Sequence, residues 1–148
     1  MKMLVTRPAR RWAAALAGLL LIGLGGCGGG GLYPVQGKLL YEDGQPVKEL
    51  AGFNVTFTSQ KLGKSSVGTI EEDGSFRMTT ERPNDGVFPG KYQVIISQPH
   101  PNPERNQHQQ PIVDLAYENP EQTDLVADVE PIVNEFTFRL RRIKKRAN

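Results

Sequence analysis

Apolar and polar residues alternate along much of the chain beyond residue 34. Phe53, Val55 and Phe57 alternate with Asn54, Thr56 and Thr58, and Phe76 and Met78 with Arg77 and Thr79. Tyr92, Val94 and Ile96 alternate with Gln93, Ile95 and Ser97, and Phe136, Phe138 and Leu140 with Thr137 and Arg139. A period of two sends successive side chains to opposite faces, so each run predicts a strand with one face on a core. Turn residues punctuate the runs. Asp43-Gly44 closes a first strand over 35–41, and Asp73-Gly74 joins strands over 67–71 and 75–80 into a hairpin. Pro83-Asn84-Asp85-Gly86 and Pro89-Gly90 precede a strand over 91–98. Glu130-Pro131 separates a last pair, 125–129 and 134–140, while Ser65-Ser66 reads as loop. Short strands at this spacing predict an all-β fold, a seven-stranded Greek-key β-sandwich. No sustained helical stripe occurs outside the N-terminus, and there is no internal repeat.

One stretch breaks the alternation. Residues 99–119 carry Pro99, Pro101, Pro103 and Pro111 together with both histidines. A loop of this length in a small domain is expected to be functional or mobile. Ile112, Val113, Leu115 and Tyr117 near its end are candidates to pack on a sandwich edge.

The N-terminus follows another rule. Lys2, Arg7, Arg10 and Arg11 precede an apolar run from Trp12 to Leu24, and residues 1–26 contain no acid. A basic stretch before a short apolar run reads as a secretory signal peptide, and the run is shorter than a membrane span requires. It ends in Leu24-Gly25-Gly26-Cys27, which resembles a bacterial lipobox. Small residues admit the backbone to a peptidase, cleavage falls between Gly26 and Cys27, and the thiol is the group that receives lipid. More than one acyl chain makes such an anchor stable. Gly28 to Gly31 then form a flexible tether. Glycine rather than aspartate after the cysteine points, by the enterobacterial sorting rule, to the outer membrane.

The mature chain also carries a resemblance. Val35-Gln36-Gly37-Lys38-Leu39-Leu40-Tyr41-Glu42-Asp43-Gly44-Gln45-Pro46-Val47 resembles the first hairpin of carboxypeptidase regulatory-like, transthyretin-like domains. Thr69, Asp73-Gly74 and Phe76 match their second hairpin, and Pro89-Gly90, Tyr92 and Val94 the start of a later strand. Ala116-Tyr117-Glu118-Asn119-Pro120 and Asn134-Glu135-Phe136-Thr137-Phe138 are similar to small planctomycete-type bacterial lipoproteins. The resemblance implies a transthyretin (prealbumin)-like sandwich that is non-catalytic and stabilises, tethers or binds. The expected organisation is a signal peptide at 1–26, a lipidated Cys27 and tether at 27–33, the sandwich at 34–140 and a basic tail at 141–148.

Other chemistry is sparse. His100 and His108 stand eight apart, without the close His-x-His spacing of the intradiol dioxygenases, whose iron is held by two tyrosines and two histidines. Tyr33, Tyr41, Tyr92 and Tyr117 are the tyrosines available to such a site. The C-terminus lacks the Tyr-Arg-Gly-Ser ending of the transthyretin-related hydroxyisourate hydrolases, and no serine sits in a nucleophile elbow. Glu71-Glu72-Asp73 lies at a turn without an EF-hand pattern. Asp114, Glu118, Glu121, Asp124, Asp128 and Glu130 mark solvent-facing positions. The sequon Asn54-Val55-Thr56 falls on a strand.

Charge sharpens this picture. The chain has 18 Lys and Arg against 16 Asp and Glu, a formal +2. Four of the cations lie in residues 1–26, so the rest has 14 cations against 16 acids and a charge of −2. Arg139, Arg141, Arg142, Lys144, Lys145 and Arg146 form a basic end suited to anionic headgroups, glycans or an acidic partner, or else a solvated, frayed terminus. The sequence leads to a lipid-anchored accessory protein that meets the membrane and an envelope protein or glycan. No nucleic acid, no cofactor and no metal are expected. A structural part in an envelope assembly is the alternative, and a small hydrolase or metal enzyme a weaker one.

Overall fold

The computed structural model describes residues 31–105 and 109–143, and the domain they form is all-β. The signal peptide, Gly26, Cys27, His108, Lys144, Lys145 and Arg146 lie outside the described residues. Strands β1 (Val35–Tyr41), β2 (Asn54–Ser59), β3 (Lys64–Thr69), β4 (Ser75–Arg77), β5 (Gly90–Ile96), β6 (Val126–Val129) and β7 (Asn134–Leu140) build two sheets. One sheet has three strands in the order β4-β1-β7, and the other four in the order β3-β2-β5-β6, consistent with a β-sandwich. Among the described residues only short 3₁₀ turns, such as Leu115–Glu118, interrupt the strands. No helix among them is long and apolar enough to cross a membrane.

Alternation in the sequence becomes two-sidedness in space. Val35, Leu39 and Tyr41 of β1, Val55 and Phe57 of β2, and Tyr92, Val94 and Ile96 of β5 are all buried, while their polar neighbours face out. Phe57 reaches from the four-stranded sheet into the facing one. Its ring meets Phe76, Phe136 and Phe138 edge-on at centroid distances of 6.3, 5.8 and 6.1 Å. Gly37 makes room for this group. It stands in register between Phe76 and Phe136, and a Cβ there would lie 2.5 Å from the Phe76 ring.

Two expected pairings differ from those observed. The 125–129 and 134–140 segments are not partners: β6 joins β5 antiparallel, and β7 joins β1 in parallel. Residues 130–133 carry the chain from one sheet to the other. The side chain of Asn134 shapes that crossing, donating to the carbonyls of Glu130 and Ile132 and accepting from the Glu130 N–H. The Asp73-Gly74 turn likewise joins strands of different sheets. Its arms meet at the Glu71 N–H to Ser75 carbonyl bond and at one bridge, Val67 to Thr79, and between these two contacts β4 pairs with β1. Asp43-Gly44 does close the turn after β1, with Tyr41 N–H on the Gln45 carbonyl at 2.7 Å.

Ser65-Ser66 lies in β3, not in a loop. Serine has little strand preference, but pairing along the whole of β2 overrides it. The Ser66 hydroxyl is buried and bonded to the Thr80 hydroxyl at 2.6 Å, which in turn donates to the Gly86 carbonyl. The long 99–119 segment is tied at both ends. The buried Gln98 amide accepts from the N–H groups of Ile112 and Val113 and donates to the Val113 carbonyl. Val113 and Tyr117 are buried and Ile112 packs on the core, whereas Leu115 remains exposed.

Two outcomes follow for stability. Phe57→Ala removes the ring that joins the sheets and is expected to lower unfolding free energy by about 3–5 kcal/mol in denaturant melts. Gly86 (φ 98°) and Gly44 (φ 84°) both have left-handed backbones, but only at Gly86 would a Cβ meet backbone, 1.9 Å from the Tyr33 carbonyl oxygen. Gly44→Ala is expected to cost the conformational penalty of about 1–2 kcal/mol alone. Gly86→Ala should cost clearly more in the same melts, because the Tyr33–Val87 bridge must move.

Candidate functional site

The end of β1, the returning segment 112–115 and the chain just after β7 enclose an open cleft of about 700 Å³. Tyr41, Glu42, Asp43, Asp114, Arg141 and Arg142 supply its polar wall, and Leu115, Leu140 and Ile143 its apolar one. Backbone pairing builds it. Asp114 N–H donates to the Arg141 carbonyl and Ile143 N–H to the Ile112 carbonyl, both at 3.0 Å. The chain beyond Leu140 is therefore folded onto the domain as far as Ile143, and Arg141 and Arg142 are not a frayed end.

Each arginine sits in its own nest of acids and an aromatic face. The Arg141 guanidinium bonds Asp124 at 2.7 Å and Asp114 at 3.3 Å, and stands 5.1 Å from the centre of the Tyr117 ring. Its backbone N–H donates to the Tyr117 hydroxyl. Arg142 lies 3.2 Å above the Tyr41 ring and 3.7 Å from both Asp43 and Glu49. Tyr41 donates its hydroxyl to Glu49 at 2.9 Å. A cation over an aromatic face is stabilised by the ring's quadrupole, so both arginines have a fixed lie despite partial exposure.

These contacts set the protonation states. Burial first, then the hydrogen bond and negative charge of Glu49, hold the Tyr41 hydroxyl well above its ordinary value, with Arg142 opposing. Burial likewise raises Tyr117. The Ala116 N–H holds the Asp114 carboxyl below its usual range, burial works against it, and Arg141 adds to the lowering. Asp124 above all keeps Arg141 charged. The cleft thus combines a hydrogen-bonded phenol, acidic side chains and paired guanidinium groups, an arrangement suited to holding a polar ligand by exchange of ion pairs.

The other candidates are dispersed. His100 sits on Glu118, with Nε2 at 2.7 and 2.9 Å from the two carboxylate oxygens. Among the described residues no group of three His, Cys, Asp or Glu is placed to hold a metal. The hydroxyls of Tyr41, Tyr92 and Tyr117 are each engaged, on Glu49, the Phe88 carbonyl and the Arg141 N–H. Tyr33 bridges to Val87. Asp73 accepts from Ser75 N–H and faces Lys38 at 3.6 Å, so it caps its own turn. Glu121, Asp124, Asp128 and Glu130 are exposed as expected, whereas Asp114 and Glu118 are half-buried and paired.

Sequence reasoning did not find Tyr41, Asp43 and Glu49 as partners of the basic end. Its one usable signal was charge imbalance: cations gathered just after the last strand of an acidic domain.

The chain matches no protein-family model, and no curated protein or solved structure is similar enough to count as a match.

The Asp114 environment gives a pH prediction. Its folded value lies below the ordinary 3.8, so it adds stability above that value, lost as pH falls through the folded one. Asp114→Asn is expected to flatten the acid limb of a stability-against-pH curve and to leave the neutral-to-alkaline limb parallel to that of the parent. Thermal melts across the acid range test this, and an unchanged acid limb would contradict the assignment.

Proposed function

We propose that the protein is a lipid-anchored accessory module of a bacterial envelope, held by Cys27 and binding a polar glycan or envelope protein without catalysis. The observation that carries this reading is Leu24-Gly25-Gly26-Cys27 directly after a short apolar run with a basic flank. The cysteine is the chain's only one, and the folded body starts six residues later, at Tyr33. Export, processing at Gly26-Cys27 and attachment to the outer membrane belong to the same reading.

For the body we propose a seven-stranded Greek-key sandwich of the carboxypeptidase regulatory-like, transthyretin-like kind. Four of its strand-to-strand connections pass between the two sheets, which supports that reading. The cleft beside Arg141 and Arg142 is the proposed ligand site, because its charged groups are fixed, partly exposed and close to apolar surface. A structural part in an envelope assembly is the second reading. It is favoured by the open edge of the four-stranded sheet, where Val126 of β6 is 58% exposed and free to meet another chain.

Cys27→Ser tests the anchor. The parent is expected to fractionate with membranes and to gain the mass of its acyl chains. The variant is expected to lose both the added mass and the membrane association. Retention of Cys27→Ser in the membrane fraction would overturn the reading.

A further inference from the structure

The loop from β6 to β7 presents an apolar tip. Val133 is 67% exposed, more than any other large hydrophobic side chain among the described residues, and Ile132 beside it is 56% exposed. This is not a frayed segment. Buried Asn134 holds the tip with three side-chain hydrogen bonds, to the Glu130 carbonyl, the Ile132 carbonyl and the Glu130 N–H. A rigid loop that keeps two adjacent branched aliphatic residues in water marks a surface meant to be covered.

Its position says by what. Asn134 pairs in register with Val35, and its N–H donates to the Pro34 carbonyl. The tip therefore stands beside the point where the chain joins the domain. Gly28 to Leu32 separate Cys27 from Tyr33, where the folded body starts, a reach of at most ~20 Å when fully extended. An anchor at Cys27 holds this end of the domain close to the bilayer. Leu62, 39% exposed and packed against Gly90, lies at the same end, because Gly90 pairs with Val129 just before the tip. The far end of β1 carries Glu42, Asp43, Glu71, Glu72 and Asp73 together with Arg141 and Arg142, whose guanidinium groups are already paired with acids there.

We propose that Ile132 and Val133 insert into the headgroup–acyl boundary of the membrane to which the chain is tethered, fixing the domain upright with its cleft outward. The proposal rests on the lipid-anchor reading above. Glu130 and Glu135 flank the tip, so contact is made by apolar burial rather than by charge.

The test uses the full chain in a Trp12→Phe background, which leaves an introduced tryptophan as the only one. Val133→Trp and, at the opposite end, Leu115→Trp are purified from membranes. Each is reconstituted into phosphatidylethanolamine–phosphatidylglycerol vesicles with brominated or ordinary acyl chains. Val133→Trp is expected to emit at shorter wavelength and to be quenched several-fold by bromine, with Leu115→Trp unaffected. Equal, water-like emission from both probes on an acylated chain overturns the proposal and leaves the anchor standing. A blue shift without bromine quenching assigns the tip to a protein partner, such as a second copy, and also overturns it. An unmodified Cys27 by mass spectrometry overturns the anchor and the proposal together. Ile132→Trp replaces Val133→Trp if that variant fails to fold.

Discussion

The edge of the Phe57 ring meets three rings of the facing sheet, and that contact governs how the two sheets sit. Phe76, Phe136 and Phe138 stack among themselves on the three-stranded sheet, with Phe76–Phe138 and Phe136–Phe138 nearly parallel at 12° and 9°. Phe57 enters against them while leaning on Tyr92 of its own sheet. Aromatic rings favour such offset and edge-on arrangements because a positive edge meets a negative face. The missing side chain at Gly37 gives the cluster its room, so one glycine and one phenylalanine on opposite sheets act as a single packing unit.

That unit explains which parts of the fold could be read from the sequence. Positions facing inward were legible, since alternation of Phe53-Val55-Phe57 or Phe136-Phe138-Leu140 encodes a face directly. Partnership was not. Alternation says that Phe138 points to a core, but nothing in it says that β7 lies beside β1 rather than β6. Ser66 was misread for the same reason: local preference argued for loop, while the ladder to β2 and the Thr80 hydroxyl decided for strand. Where a turn carried its own chemistry, as at Asp43-Gly44, sequence and structure agree.

The cleft was still less visible. Arg141 and Arg142 stood out as charge, yet their meaning depends on Asp43 and Glu49 far upstream, on Asp114 from the returning segment and on Asp124 just before β6. Such pairs arise from three-dimensional closure and leave no spacing in the chain. What the geometry adds is a division of labour within the basic end. Arg141 and Arg142 belong to the domain's own electrostatics, and Arg139 lies on the solvent face of β7.

The parallel pairing of β1 with β7 has a consequence for the order in which the domain can assemble. All seven residues of β1 find their partners in the final strand, on the order of 100 residues downstream, so the three-stranded sheet cannot close until nearly the whole domain is present. Contacts of such long range make folding slow. A chain delivered N-terminus first presents β1, with Val35, Leu39 and Tyr41 uncovered, well before its partner arrives. Until β7 arrives one edge of β1 stays unpaired, and unpaired strand edges are where partly folded chains aggregate.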